Sequence, residues 1–300
     1  MEKFQVLLFY KFAHISNTEA LAGTHREFCR THNLRGRILI AAEGINGTVS
    51  GSLKNAQAYI NWLKSDPHFE DIEFKIDPST GHVFEKMFIR VRREIVTLGL
   101  QDVNPEHETA PSLEPKDFAS AMRDPDTVLL DIRNDYEYEV GHFHNAIRPN
   151  VGAFKEFPSW IEEHKELLES KKILTYCTGG IRCEKLTSYL LKSGFKKVFQ
   201  LKGGIVNYSK DPHTLGSDFD GRCYVFDQRI SVPVNHVNPT IISRCHHCQR
   251  PCEQYVNCAN LDCHVRFFCC EECARVHLRS CSTACREVEH HEFRIKSDRV

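Results

Sequence analysis

Fourteen cysteines are spread so unevenly along these 300 residues that they divide the chain before any helix or strand is read. Ten of them crowd between Cys245 and Cys285, whereas Cys29, Cys177, Cys183 and Cys223 are scattered. A segment so poor in aliphatic residues buries too little apolar surface to hold itself together, so it needs a staple. Which staple depends on the compartment. The opening MEKFQVLLFYKF carries an apolar run of only five residues, Val6 to Tyr10, before Lys11. That is too short for a signal peptide or a membrane span. A cytoplasmic protein with no membrane partner is expected, and a reducing cytosol favours metal ligation over disulfides.

Read from Cys245, the cysteines form the pairs Cys245/Cys248, Cys258/Cys263, Cys270/Cys273 and Cys281/Cys285. Eight thiolates in four pairs match two tetrahedral zinc sites, which are structural because no position stays open for water. The expected arrangement is interleaved, first pair with third and second with fourth. Cys252 and Cys269 are left over, and Cys269 or His277 is able to replace a neighbour. A redox-active cluster, iron–sulfur included, or a metal-free tail is the alternative.

The rest of the chain reads as two folded units. Residues 4–12 form a buried strand, and Thr18 to Asn33 a helix with Leu21, Ala22 and Phe28 on its apolar face. Arg37 to Ser50 holds two apolar runs around Glu43-Gly44-Ile45-Asn46-Gly47, and Asn-Gly is a strong hairpin signal. A helix over Leu53 to Lys64 and a strand over 72–76 complete a β-α-β-β-α-β order, the ferredoxin-like split βαβ pattern, and a further strand over 84–96 follows within residues 1–100. Residues 101–112, polar and without periodicity, read as a linker. From 113 to 217 strands alternate with helices, which implies a parallel α/β sheet. Residues 218–242 form a hairpin connector that packs back on one of the units, and 243–300 the cysteine-rich tail. The fold class is thus α/β, an α+β unit followed by a parallel α/β unit and a metal-binding segment.

The stretch ILTYCTGGIRCEK carries the chemistry. An apolar strand delivers Cys177 to its carboxyl end, where ligands bind in open α/β sheets. A Gly179-Gly180 turn and a helix beginning near Arg182 supply backbone N–H groups that cradle an anion, so a thiolate there is stabilised. Arg182 adds a cation. Cys183 is either a resolving thiol, able to form a disulfide or accept a persulfide, or a buried residue of the helix's first turn.

This loop, the upstream DIRNDYEYEVGHF beginning at Asp131 and the later Leu201-Lys202-Gly203-Gly204-Ile205 resemble a rhodanese domain over about residues 113–215. The resemblance implies that Cys177 is the catalytic or sulfur-accepting thiol and that Asp131, Arg133 and His142 are architectural. Taken with GRILIAAEGINGTVSG, GRCYVFDQRISV and the cysteine array, the whole chain resembles the bacterial tRNA uridine hydroxylase family. The resemblance implies hydroxylation of the wobble uridine, position 34 in the anticodon loop, to 5-hydroxyuridine with molecular oxygen as co-substrate. The alternatives are a sulfurtransferase carrying a Cys177 persulfide and a non-enzymatic RNA-binding module.

Carbon 6 of uracil is the electrophilic β-position of an enone, so Cys177 either adds there or carries an activated sulfur, and the residues do not choose. In either case loop N–H groups and Arg182 are expected to meet a developing oxyanion. No flavin, nicotinamide or two-His-one-carboxylate iron motif is recognisable, and no electron donor is legible. Lys+Arg (39) balances Asp+Glu (40) to a net charge of -1, so any RNA grip is local. Arg35, Arg37, Arg90, Arg92 and Arg93 with Phe88 form a basic group, in which strand alternation puts Arg90 and Arg92 on one face. It reads either as phosphate contacts or as a solvated strand face.

Overall fold

The computed structural model describes residues 3–100 and 102–295; Met1, Glu2, Gln101 and the last five residues, the margins of the segments assigned above, lie outside the described residues. The N-terminal unit comprises β1 (Phe4–Phe12), α1 (Thr18–Thr31), β2 (Arg35–Ala41), β3 (Gly44–Ser52), α2 (Leu53–Lys64), β4 (Phe74–Ser79) and β5 (Met87–Val91). Asn17 and Ser52 cap the two helices by accepting backbone N–H bonds from Ala20 and Asn55. The sheet order is β4-β1-β3-β2-β5, with β5 parallel to β2 at the edge and the other pairings antiparallel. Leu7, Phe9, Ile38, Ile40, Ile45 and Val49 point to one face and pack with Ala22, Cys29, Ala56, Tyr59 and Leu63 of the helices. Alternation sends Leu8, Tyr10, Arg37, Leu39, Asn46 and Thr48 to the other face, which no helix of this unit covers.

The hairpin signal is displaced. Ala41 pairs with Gly44, so the turn is Ala42-Glu43, and Asn46-Gly47 lies inside β3. Gly44 takes a φ of 140° where a Cβ would stand 2.0 Å from the Lys11 carbonyl oxygen. At Gly47 a Cβ would strike the Phe9 ring at 2.4 Å. These two glycines answer to packing, and the Asn-Gly pair is free of the turn.

The polar span after the sheet is docked rather than loose. Leu98, Val103 and Ala110 enter the apolar core of the second unit, and the Ala110 carbonyl accepts from Gln200 Nε2 at 2.7 Å. Anchors at irregular spacing leave no period to read. β6 (Ser112–Leu113) then pairs with the second sheet.

The second unit comprises β6, α3 (Pro115–Ala121), β7 (Thr127–Asp131), α4 (Asp135–Val140), β8 (Gly141–Phe143), α5 (Phe157–Glu163), α6 (Lys165–Leu168), β9 (Lys172–Tyr176), α7 (Ile181–Lys192), β10 (Val198–Leu201) and α8 (Gly204–Lys210), and four of these strands make the second sheet. Its strand order is β6-β10-β9-β7, all parallel. Asp131 and Arg133 form a fully buried pair at 2.6 Å, joined by the Tyr176 hydroxyl donating to Asp131. His142 stacks on Tyr138. These are structural contacts. The connector forms a hairpin of β11 (Phe219–Tyr224) and β12 (Ser231–Pro233), and β11 pairs with β8. The tail adds β13 (Tyr255–Asn257), β14 (Arg266–Phe268), α9 (Glu271–Val276), α10 (Thr283–Glu287) and α11 (Glu292–Ile295). Tyr255 and Phe268 seat it against Tyr224 and Tyr136. No helix among the described residues is long and apolar enough to cross a membrane.

Candidate active site

β9 ends at Tyr176 and places Cys177 at the mouth of the parallel sheet, directly before α7. Gly180 turns the chain with a φ of 106°, and its N–H donates to Cys177 Sγ at 3.1 Å. Burial alone would push the Cys177 thiol up. The Cys183 thiol, the Arg182 charge and the N–H groups of Cys183 and Gly180 outweigh it and lower the pKa to about 5. Cys183 pays for this with a pKa well above the thiol range, from burial and from donating to Cys177. Cys183 is a fully buried residue of the first turn of α7, set beside the Cys177 sulfur. From behind, the Ile205 and Val206 N–H groups hold the Cys177 and Thr178 carbonyls at 3.0 and 3.1 Å. A Cβ on Gly204 would come within 2.6 Å of both oxygens, so the later Gly-Gly pair lets α8 approach the loop.

Arg182 corrects an expectation. Its two terminal nitrogens form a buried fork with Glu137 at 2.6 and 2.8 Å, and one of them also donates to Thr178 Oγ1 at 3.3 Å, so these donors go to the protein rather than to a reacting oxygen. Its charge still favours the thiolate, but its hydrogen bonds fix the loop to α4. Glu137 also caps α4 through the Asn134 N–H.

Cys177 lies on the floor of a cavity of about 430 Å³ whose opposite wall is the open face of the N-terminal sheet. Its sulfur has no solvent-exposed surface in this conformation, so an incoming base must displace part of the lining. Arg37, Arg92 and Lys155 bring positive charge to that lining, and Phe84 and Phe226 bring aromatic surface. Arg35 and Arg90 share the sheet face with Arg37 but do not line the cavity. Gly179 does line it, packed against Leu8 of β1.

Three features of the site escape a sequence reading. Lys185, 1% exposed, sits between Glu43 at 2.6 Å and Glu94 at 2.7 Å, and so bridges α7 to the β2–β3 turn and to the segment after β5, which meet at one end of the N-terminal wall. The Tyr10 hydroxyl donates to Glu184 at 2.6 Å, and burial raises the pKa of each. Phe226, half exposed, reaches the cavity from the connector hairpin. Each contact spans more than forty residues. The only local signal was the pairing of Glu184 and Lys185 next to the loop.

In the tail, Cys245, Cys248, Cys270 and Cys273 form one thiol quartet and Cys258, Cys263, Cys281 and Cys285 another, all Sγ atoms of each within 4.8 Å of one another. A zinc–sulfur bond of about 2.3 Å implies tetrahedron edges of about 3.8 Å. The Cys248–Cys270 and Cys263–Cys281 separations are 3.7 and 3.8 Å. N–H groups of Cys270 and Cys281 also reach Cys245 and Cys258 Sγ at 3.4 Å. The donor sets therefore fit tetrahedral metal, and Cys252 and Cys269 stay outside both quartets.

Comparison with known proteins divides the chain in the same sense. Residues 4–95 match the UPF0176 acylphosphatase-like domain, 114–211 the rhodanese-like domain and 220–286 the rhodanese C-terminal model. The chain is 53% identical over 295 residues to a tRNA uridine(34) hydroxylase of Bacillus velezensis, covering 98% of this chain and 92% of the relative. It is 54% identical to the protein of that name in Bacillus licheniformis, covering 95% and 88%, and 50% identical to one in Bacillus cereus, covering 98% and 93%. At this identity and coverage, the chain belongs to the tRNA uridine(34) hydroxylase family.

Proposed function

We propose that the protein hydroxylates carbon 5 of the wobble uridine of tRNA, with molecular oxygen as co-substrate and Cys177 as nucleophile. The observation that carries this reading is a thiol with a pKa near 5 at the floor of a cavity rimmed by Arg37 and Arg92. The thiolate adds to carbon 6, and the electron pair moves through carbon 5 toward O4, giving an enolate able to react with oxygen. One oxygen atom stays on carbon 5 and the other leaves as water, which consumes two electrons from an external donor and two protons. Loss of the carbon 5 proton and departure of Cys177 restore the ring. Arg182 positions the loop, and the cavity's own cations meet the enolate charge and the phosphates. Single-stranded anticodon nucleotides suit such a pocket, because an unstacked base can be turned into it.

The two thiol quartets would hold structural zinc, which supplies tail stability and no reaction step. The enzyme works in the cytoplasm, where its tRNA substrate is. In cells lacking the native gene, wild-type protein should restore 5-hydroxyuridine in tRNA and Cys177→Ala should not; full restoration by the variant sinks the assignment. The ring of donors about Sγ also suits a persulfide, which gives a second reading as a sulfurtransferase. Cyanide-dependent thiocyanate production by the purified protein would favour it.

A further inference from the structure

Asn46 belongs to the motif that looked like a turn and is not one. It lies in β3, a central strand paired on both sides, with Tyr10 and Leu39 as its cross-strand neighbours. Both its side-chain face and Cys177 line the same cavity. Asn46 Nδ2 donates to the Ile95 carbonyl at 3.0 Å. A carbonyl oxygen accepts and cannot donate, so this bond fixes which end of the amide is which. Asn46 Oδ1 makes no hydrogen bond within the described protein, and one Nδ2 hydrogen is left. The wall opposite the nucleophile thus presents a fixed acceptor beside a donor, held by a strand rather than a loop.

That pair complements one edge of uracil. We infer that Asn46 reads the target base, Oδ1 accepting from the uracil N3–H and Nδ2 donating to the neighbouring carbonyl. Cytosine has a lone pair at N3 in place of the hydrogen, so acceptor would face acceptor and the site would reject it. Carbon 6 addition is open to both pyrimidines, so the chemistry alone does not separate them. Recognition has to. The inference rests on the proposed hydroxylation of a tRNA uridine and names the residue that selects the base.

The test uses full-length protein and anticodon stem-loop RNAs bearing uridine, cytidine or N3-methyluridine at position 34, with affinities from fluorescence anisotropy. Wild-type protein should bind the uridine RNA about tenfold more tightly than either other RNA, the size expected for one hydrogen bond and one avoided repulsion. Asn46→Ala should weaken uridine binding about tenfold and change the other two by less than about twofold. Equal weakening of all three, or no change for uridine, overturns the inference. If the variant does not fold, the wild-type ranking decides, and equal affinity for the three RNAs overturns it. Nucleoside mass spectrometry of the uridine RNA after incubation with wild-type protein, oxygen and a thiol reductant keeps the two readings apart. Absence of 5-hydroxyuridine there overturns hydroxylation, whereas its presence with an unselective ranking overturns only the role of Asn46.

Discussion

At the scale of single residues, the chemistry depends on a fully buried sulfur that is nonetheless anionic. Burial opposes the charge, and one thiol, one guanidinium and two backbone N–H groups overcome it. The rate of Cys177 alkylation, followed by peptide mass spectrometry against pH, should therefore rise with a midpoint near 5. Cys183→Ala removes the strongest lowering partner and should move the midpoint upward; a wild-type midpoint near the ordinary thiol value would contradict the cradle. The linkage has a definite sign. A thiol lowered from 9.0 to about 5 leaves the unfolded state binding more protons between those values, so this group stabilises the native state progressively as pH rises through that window. The stabilisation is lost as pH falls through 5. Glu137 supplies a second residue-scale prediction. Removing it strands the Arg182 charge in a buried site, so Glu137→Ala should cost about 3–5 kcal/mol in chemical denaturation, and a change under about 1 kcal/mol would contradict the buried fork.

At the scale of elements, much of the framework was legible because apolar runs and glycine turns report local structure. The helix over Leu53–Lys64 and the strand over Val198–Leu201 fall where periodicity puts them. Cys177 was legible too, since strand, Gly-Gly and helix are neighbours in sequence. What stayed hidden was set by partners far along the chain. Asn46-Gly47 carried a turn signal, yet Phe9 and Lys11 from β1 decided where the glycines were needed and shifted the turn to Ala42-Glu43. Arg182 looked free because Glu137 lies 45 residues before it. The basic group was visible as composition, but only the β2–β5 register and the docking of the second unit separate Arg37 and Arg92, which line the cavity, from Arg35 and Arg90, which do not. Charge reversal of Arg37 and Arg92 together should flatten the dependence of log affinity for tRNA on log salt by roughly two. An unchanged slope would return these arginines to an ordinary solvated face.

At the scale of the whole molecule, the cavity exists only because two units are held face to face. Lys185 joins α7 to Glu43 and Glu94, and Leu98, Val103 and Ala110 anchor the connecting chain in the core of the second unit. The two thiol quartets lie in the tail, whose Tyr255 and Phe268 brace Tyr224 two residues from Phe226 at the cavity. Elemental analysis should return about two zinc ions per chain, one for each quartet, and well under one would remove the metal reading. The claim that unites these scales is that the Cys177 cavity delivers an oxygen atom from dioxygen to carbon 5 of uridine 34. The most direct measurement is nucleoside mass spectrometry of unmodified tRNA incubated with purified wild-type or Cys177→Ala protein, a thiol reductant and isotopically heavy oxygen gas. Wild-type protein should give 5-hydroxyuridine carrying one heavy oxygen atom and Cys177→Ala none; label-free product, or labelled product from the variant, would overturn this assignment.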